Sequence, residues 1–107
     1  MPIKITILGS GTGVPSLKRS ACSVLMEIET DKLLFDLGAG TMRRLLEAGL
    51  SITQVTYLFF SHLHPDHTGE FASFLFATKY FESRNIPLVA CGAKGLEEFY
   101  SRLRNAF

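Results

Sequence analysis

The segment Ser61-His62-Leu63-His64-Pro65-Asp66-His67-Thr68-Gly69 contains all three histidines of a 107-residue chain. An apolar, β-rich stretch precedes it, and a predicted helix follows it. A solvated polar loop, or histidines that cap a helix, would be the ordinary explanation for a lone histidine. Three histidines and an aspartate in the spacing H-x-H-x-D-H favour a metal site instead.

The spacing of these side chains suggests how they would share metal ions. Alternate residues of an extended segment point the same way, so His62 and His64 can both reach one ion. Asp66 and His67 follow where the chain turns and can face a second ion nearby. Imidazole and carboxylate groups suit zinc best among the candidates, with manganese and ferrous iron as alternatives.

Four ligands are too few for two ions, because zinc takes about four ligands per ion. The chain has no further histidine. Asp36, at the end of a predicted strand beside Gly38 and Gly40, is the best additional carboxylate and could orient a ligand histidine. A turn-forming or capping aspartate is an equally good interpretation of Asp36 alone.

The glycine-rich stretch 9–20 follows the first predicted strand. Gly9, Gly11 and Gly13 do not fit the dinucleotide fingerprint G-x-G-x-x-G, because the sixth position is valine and a strand, not a helix, follows. We predict a tight turn that brings backbone close to a site. Lys18 and Arg19 would then be available for an anionic substrate, although a solvated surface pair is the simpler interpretation of two adjacent cations.

The predicted element order is β, ββ, α, β, α, β, α, which argues for a layered α/β fold. The 69–81 helix is apolar nearly all round, so it should need cover on several sides. Cys22 is expected to be a buried apolar residue within the second strand. The predicted strands are 3–8, 22–28, 33–35, 55–60 and 86–90, and the predicted helices are 42–48 (Thr41 N-cap, Gly49 stop), 69–81 (Thr68 N-cap) and one from about Ala93.

Composition gives no electrostatic sign of a nucleic-acid or membrane partner. The formal net charge is +1, so no single-sign field attracts nucleic acid or an anionic membrane. No apolar run approaches the ~20 residues of a membrane span. Two cysteines and no export signal at the N-terminus lead us to expect reduced thiols and a cytoplasmic location.

The histidine segment resembles the metallo-β-lactamase fold superfamily, whose signature is H-x-H-x-D-H. Three other segments resemble ribonuclease Z-like members of that superfamily, so the resemblance covers essentially the whole chain. These segments are Leu8–Pro15 with Arg19, Phe35–Thr41 and Ala90–Leu96.

This resemblance implies a four-layer αββα sandwich and phosphodiester hydrolysis by a hydroxide held between two divalent metal ions, with RNA as a possible substrate. His62 and His64 would bind one metal, and Asp66 and His67 the other. Asp66 would also act as general base, and Asp36 would support the metal site from its strand end.

Three residues depart from the ribonuclease Z pattern. Pro65 stands in place of a usual glycine, Ser20 in place of an asparagine and Ala93 in place of a common proline. These departures weaken a strict transfer-RNA-processing assignment. They fit a ribonuclease Z-like or a phosphodiesterase-like hydrolase equally well.

The family also draws a histidine, a bridging aspartate and a last histidine from segments beyond position 107. We therefore expect residues 1–107 to form one partial domain, the N-terminal half of the sandwich. Alone it should bind metal weakly, show no turnover, and self-associate or pair with the missing half. The alternative is a non-catalytic metal-binding or assembly half-domain that another copy or chain completes.

Overall fold

The computed structural model describes residues 2–81 and 84–107. It shows a five-stranded mixed sheet with helices on one face, and the predicted α/β order is confirmed. A 3-10 turn at Ile52–Gln54 and a one-turn helix inside the histidine segment were not predicted. The elements are β1 (Ile3–Gly9), β2 (Ser23–Ile28), β3 (Asp31–Phe35), α1 (Thr41–Glu47), β4 (Tyr57–Phe60), α2 (Pro65–Thr68), α3 (Phe71–Tyr80), β5 (Val89–Gly92) and α4 (Leu96–Ala106).

The strands lie in sequence order across the sheet. β1, β2 and β3 form an antiparallel meander, and β3, β4 and β5 run parallel. The carboxyl ends of parallel strands meet at one edge of a sheet. The segments that follow β3 and β4 therefore meet there, and these segments contain Asp36 and the histidines.

The hydrophobic core lies on one face of this sheet. Leu25, Leu34 and Leu58 are neighbours in the strand register, and each is essentially inaccessible to solvent. The helices cover them with Leu45 of α1 and with Phe71 and Phe74 of α3, while α4 adds partly buried apolar residues. Period-2 alternation in the strands explains this one-sided burial.

The opposite sheet face is also apolar, and within residues 2–81 and 84–107 no helix covers it in the same way. Ile3, Ile5 and Ile7 of β1 are 56%, 58% and 56% exposed. Their side chains begin two rows that cross all five strands. The rows are Ile5–Met26–Leu33–Tyr57–Val89 and Ile7–Val24–Phe35–Phe59–Cys91. We call these two rows, with Ile3 and Ile28, the open face.

Helix α3 is covered on one side only. Phe71 and Phe74 are buried, whereas Phe76, Tyr80 and Phe81 are 47%, 58% and 75% exposed. The Phe76 ring contacts the other two, with centroid distances of 4.9 Å to Tyr80 and 5.5 Å to Phe81. The described residues therefore supply only part of the cover that this helix was expected to need.

Both predicted N-caps are wrong. Helix α1 begins at Thr41 with Gly40 as its N-cap, and the Thr41 hydroxyl donates to the Gly38 carbonyl (2.7 Å). Thr68 ends α2 instead of starting α3, and its hydroxyl donates back to the His64 carbonyl (3.2 Å). In both cases the hydroxyl satisfies a carbonyl of the preceding segment rather than a helix amide.

The predicted stop at Gly49 is confirmed. Gly49 adopts a left-handed conformation with φ 89°. Its amide donates to the Leu46 carbonyl, and the Leu50 amide donates to the Leu45 carbonyl, which together form a Schellman motif. Strand β5 lies about three residues later than predicted, and α4 starts at Leu96 after a left-handed Gly95. Among the described residues, no helix has the length and apolar character needed to cross a bilayer.

Candidate metal centre

Two loops at the carboxyl edge of the parallel strands build the site. Asp36 follows β3, and its amide donates to Phe59 of β4 (2.7 Å). The next amide, that of Leu37, donates to the His67 carbonyl (2.7 Å), and the Glu70 amide donates back to Leu37 (3.0 Å). These backbone bonds fix the Asp36 loop against the histidine segment.

The three predicted histidines lie together. The His62 ring centroid is 3.9 Å from that of His67 and 4.8 Å from that of His64. His67 Nε2 lies 3.4 Å from Asp66 Oδ2. One ligand atom from each of His62, Asp66 and His67 lies within 4.8 Å of the others. We call these three residues the donor group. His64 lies outside this group and contacts it through the His62 ring.

Asp36 is buried beneath the donor group and accepts three hydrogen bonds. Oδ1 accepts from the Ser61 amide (2.8 Å), and Oδ2 accepts from the Ser61 hydroxyl (2.7 Å) and from His67 Nδ1 (2.8 Å). An ionised carboxylate only accepts hydrogen bonds, so Nδ1 of His67 is the donor. In the neutral imidazole Nε2 of His67 then keeps its lone pair, and this atom lies 3.4 Å from Asp66 Oδ2.

The chemistry of the donor group fits a divalent metal ion. It offers two imidazoles and one carboxylate, which is a ligand set typical of zinc. His67 and Asp66 have side chains 16% and 32% exposed, so the group is partly open to solvent on one side. The Asp36–His67 contact is the one that an orienting carboxylate requires.

Cys22 differs from its prediction. It precedes β2 instead of lying within it, it is half-buried, and its Sγ groups with ligand atoms of Asp36 and His67 within 4.8 Å. Burial raises the pKa of the Cys22 thiol, and the nearby charges of Asp36 and Asp66 raise it further. The neutral thiol is a poor metal ligand and nucleophile.

The glycine-rich loop approaches the site as predicted. A Cβ added at Gly13 would lie 3.3 Å from Asp66 Cβ. Arg19 and Asp66 line the same cavity of about 450 Å³. Lys18 lies in a neighbouring cavity of about 340 Å³, which Arg19 also lines together with Arg43 of α1. Of the two predicted cations, only Arg19 shares a cavity with a predicted ligand.

Reasoning from the sequence did not identify two residues that stabilise this region, Ser61 and Glu70. Ser61 contacts Asp36 through both its amide and its hydroxyl. The Glu70 carboxylate accepts from the amides of Gly40 (2.7 Å) and Met42 (2.8 Å), so it caps α1 from a distant segment. The position of Ser61 beside a ligand was a usable signal, whereas the sequence has no local signal for the contact of Glu70.

Comparison with known proteins identifies the family. Residues 3–103 match the family described as anti-Pycsar protein Apyc1. The chain belongs to the Apyc1 family. This match covers both loops of the candidate metal centre.

Relatives of the Apyc1-family chain extend the comparison. Ribonuclease Z of Methanothermobacter thermautotrophicus is 35% identical over 98 residues, which are 92% of this chain and 32% of that protein. Human tRNase Z, short form, superposes with a TM-score of 0.82 at 33% identity, covering 95% of this chain and 38% of that one. The chain spans about a third of the length of the curated relatives it matches.

A third similarity concerns the fold alone. The metallo-β-lactamase fold protein YhfI from Bacillus subtilis superposes with a TM-score of 0.78 at 21% identity, over 94% of this chain and 41% of that one. The predicted ribonuclease Z-like branch of the metallo-β-lactamase fold is confirmed. The α/β fold class, as part of that sandwich, is confirmed too.

Proposed function

We propose that this Apyc1-family chain is the metal-binding part of a divalent-metal-dependent phosphodiester hydrolase. The donor group His62–Asp66–His67, held from below by Asp36, carries this proposal. The relatives named ribonuclease Z support a phosphodiester substrate, and RNA is the first candidate. Zinc is the metal we propose first because of the imidazole-rich donor set.

The proposed roles follow the spacing of the side chains in the sequence and the family resemblance. His62 and His64 would hold one ion of a binuclear site, and Asp66 and His67 the other. Asp66 would also take a proton as general base, and Arg19 would bind the anionic substrate in the cavity that it shares with Asp66. When bound, divalent ions polarise a phosphoryl group and lower the pKa of water.

We further propose that residues 1–107 form one partial domain. The helices and the sheet are two adjacent layers, and the open face is where a second sheet would pack in an αββα sandwich. Its exposed isoleucines are the observation that supports this. The second sheet would bring the remaining metal ligands.

A second candidate function rests on the same open face. A non-catalytic metal-binding half-domain would use this face to join another copy or chain. Both candidates predict that the zinc-loaded chain alone associates and does not hydrolyse bis-p-nitrophenyl phosphate, so the chimera described below separates them: activity favours the hydrolase, and a folded, zinc-loaded chimera without activity favours the second candidate. A monomer with robust turnover would contradict both the second candidate and the partial-domain proposal.

The hydrolase proposal is tested in a chimera. This chain replaces the 98 matched residues of the Methanothermobacter ribonuclease Z, and phosphodiester hydrolysis is measured with zinc or manganese. We expect activity that Asp66→Asn abolishes and that Asp31→Asn, at an exposed residue of β3, leaves intact. A folded, zinc-loaded chimera without activity would contradict the proposal.

A further inference from the structure

Ser61 stands between Asp36 and His62, and its hydroxyl contacts both. The hydroxyl lies 2.7 Å from Asp36 Oδ2 and 3.1 Å from His62 Nδ1, and the Ser61 amide donates to Asp36 Oδ1 (2.8 Å). Ser61 lies at the surface, at the end of β4, one residue before a member of the donor group. None of the roles assigned above uses its hydroxyl.

The direction of these hydrogen bonds follows from counting protons. A hydroxyl has one hydrogen to donate, and the Asp36 carboxylate can only accept. The Ser61 hydrogen therefore goes to Asp36 Oδ2, which leaves the Ser61 oxygen as an acceptor. His62 must then donate from Nδ1, and in the neutral ring its Nε2 keeps the lone pair.

We propose that Ser61 is a positioning residue. Through its hydroxyl, Asp36 orients a second metal ligand, His62, in addition to His67. Asp36 orients His67 directly, through the 2.8 Å contact with Nδ1. It orients His62 through the Ser61 hydroxyl. Both rings then present Nε2, and the two ring centroids lie 3.9 Å apart. The inference rests on the proposed metal site, whose ligands it orients.

The first test needs no metal. Ring nitrogen chemical shifts of ¹⁵N-histidine-labelled, metal-free chain report which nitrogen carries the proton. We expect the Nδ1–H form for His62 in the wild type, an increased Nε2–H fraction in Ser61→Ala, and return to Nδ1–H in Ser61→Thr, which keeps the hydroxyl. Wild-type His62 in the Nε2–H form, or the same shifts in Ser61→Ala, would overturn the proposal.

The second test is zinc affinity, measured by calorimetry on the same variants. Loss of a group that orients a ligand typically weakens metal binding by ~10–100-fold, and we expect the lower end for Ser61→Ala because His67, which the Ser61 hydroxyl also approaches (3.4 Å), keeps its direct contact with Asp36. Ser61→Thr should restore the affinity, and Ser73→Ala, an exposed serine of α3, should leave it unchanged. Equal affinity in Ser61→Ala would count against the proposal. If the wild type bound no zinc, the proposed function would fail, and the shifts would still decide the role of Ser61.

Discussion

Replacing Asp36 by asparagine tests how one buried carboxylate supports the metal centre. Asp36 adopts φ 67°, a left-handed conformation that asparagine also tolerates, so the backbone should not change. The carboxylate accepts three donors on two oxygens, whereas the amide has one oxygen and an NH₂ group that donates. In either orientation of the amide, its NH₂ group therefore faces at least one of these hydrogen-bond donors.

The two orientations have different consequences. If NH₂ replaces Oδ1, it faces the Ser61 amide, which cannot turn, and that hydrogen bond is lost. If NH₂ replaces Oδ2, it donates to His67 Nδ1, which moves the His67 proton to Nε2 and removes the lone pair from the site. A hydrogen bond to a charged group contributes ~1.5–3 kcal/mol, so we expect the free energy of unfolding to fall by that amount.

Thermal unfolding and calorimetry measure the two effects separately. For a domain of this size, the loss in stability should lower Tm by roughly 7–13 °C without metal. Zinc affinity should fall by ~10–100-fold. Asp31→Asn, at an exposed position, is the control for loss of a carboxylate. Unchanged Tm and unchanged zinc affinity in Asp36→Asn would refute the support that we assign to Asp36.

Three other predictions concern different parts of the chain. Glu70→Gln should lower the free energy of unfolding by ~1 kcal/mol, since it weakens the cap on α1, while Glu29→Gln in the exposed turn after β2 should have no effect in the same denaturation experiment. Ile5→Lys on the open face should reduce self-association in sedimentation velocity, and Leu46→Lys, a similarly exposed residue of α1 (64% against 58%), should not; equal effects would argue against the open face as the contact surface. Iodoacetamide should modify Cys22 at pH 8 more slowly in the folded chain than in the unfolded chain, because burial raises the pKa of this thiol above its ordinary value and the thiol stays protonated until the pH rises through the raised value. Equal rates would show that the thiol is not desolvated.

The grouping of the candidate metal ligands could be predicted because these residues are close in sequence. Four of them fall within six positions after a strand, so spacing alone brings them together. The position of Asp36 was harder to predict. It contacts His67, 31 residues away, because β3 and β4 pair in parallel. The strand-end position was visible in the sequence, but the strand neighbours were not.

Contacts between distant segments explain what the sequence did not show. Thr41 and Thr68 both have the residue type of an N-cap, yet Glu70 supplies the cap of α1 from about 28 residues away. Local preference was overridden because the Glu70 carboxylate from another loop accepts from the amides of Gly40 and Met42 at the start of α1. The role of Ser61 likewise depends on Asp36, which only the fold brings within 2.7 Å.

The open face was only partly predictable. Alternation in β1 shows that Ile3, Ile5 and Ile7 share one side, but not whether that side is covered. The register of all five strands is needed to see that two apolar rows cross the whole sheet. Strand β5 was placed too early because the apolar residues at 86–90 begin before the backbone reaches β4.

X-ray absorption at the zinc edge is the most direct test of the proposed metal centre. We predict nitrogen and oxygen ligands at ~2.0–2.2 Å with imidazole scattering in the zinc-loaded chain, and loss of that scattering in the double variant His62→Ala, His67→Ala. A sulfur ligand at ~2.3 Å would instead place the zinc on Cys22 or Cys91. That result, or a spectrum that the double variant leaves unchanged, would contradict the account.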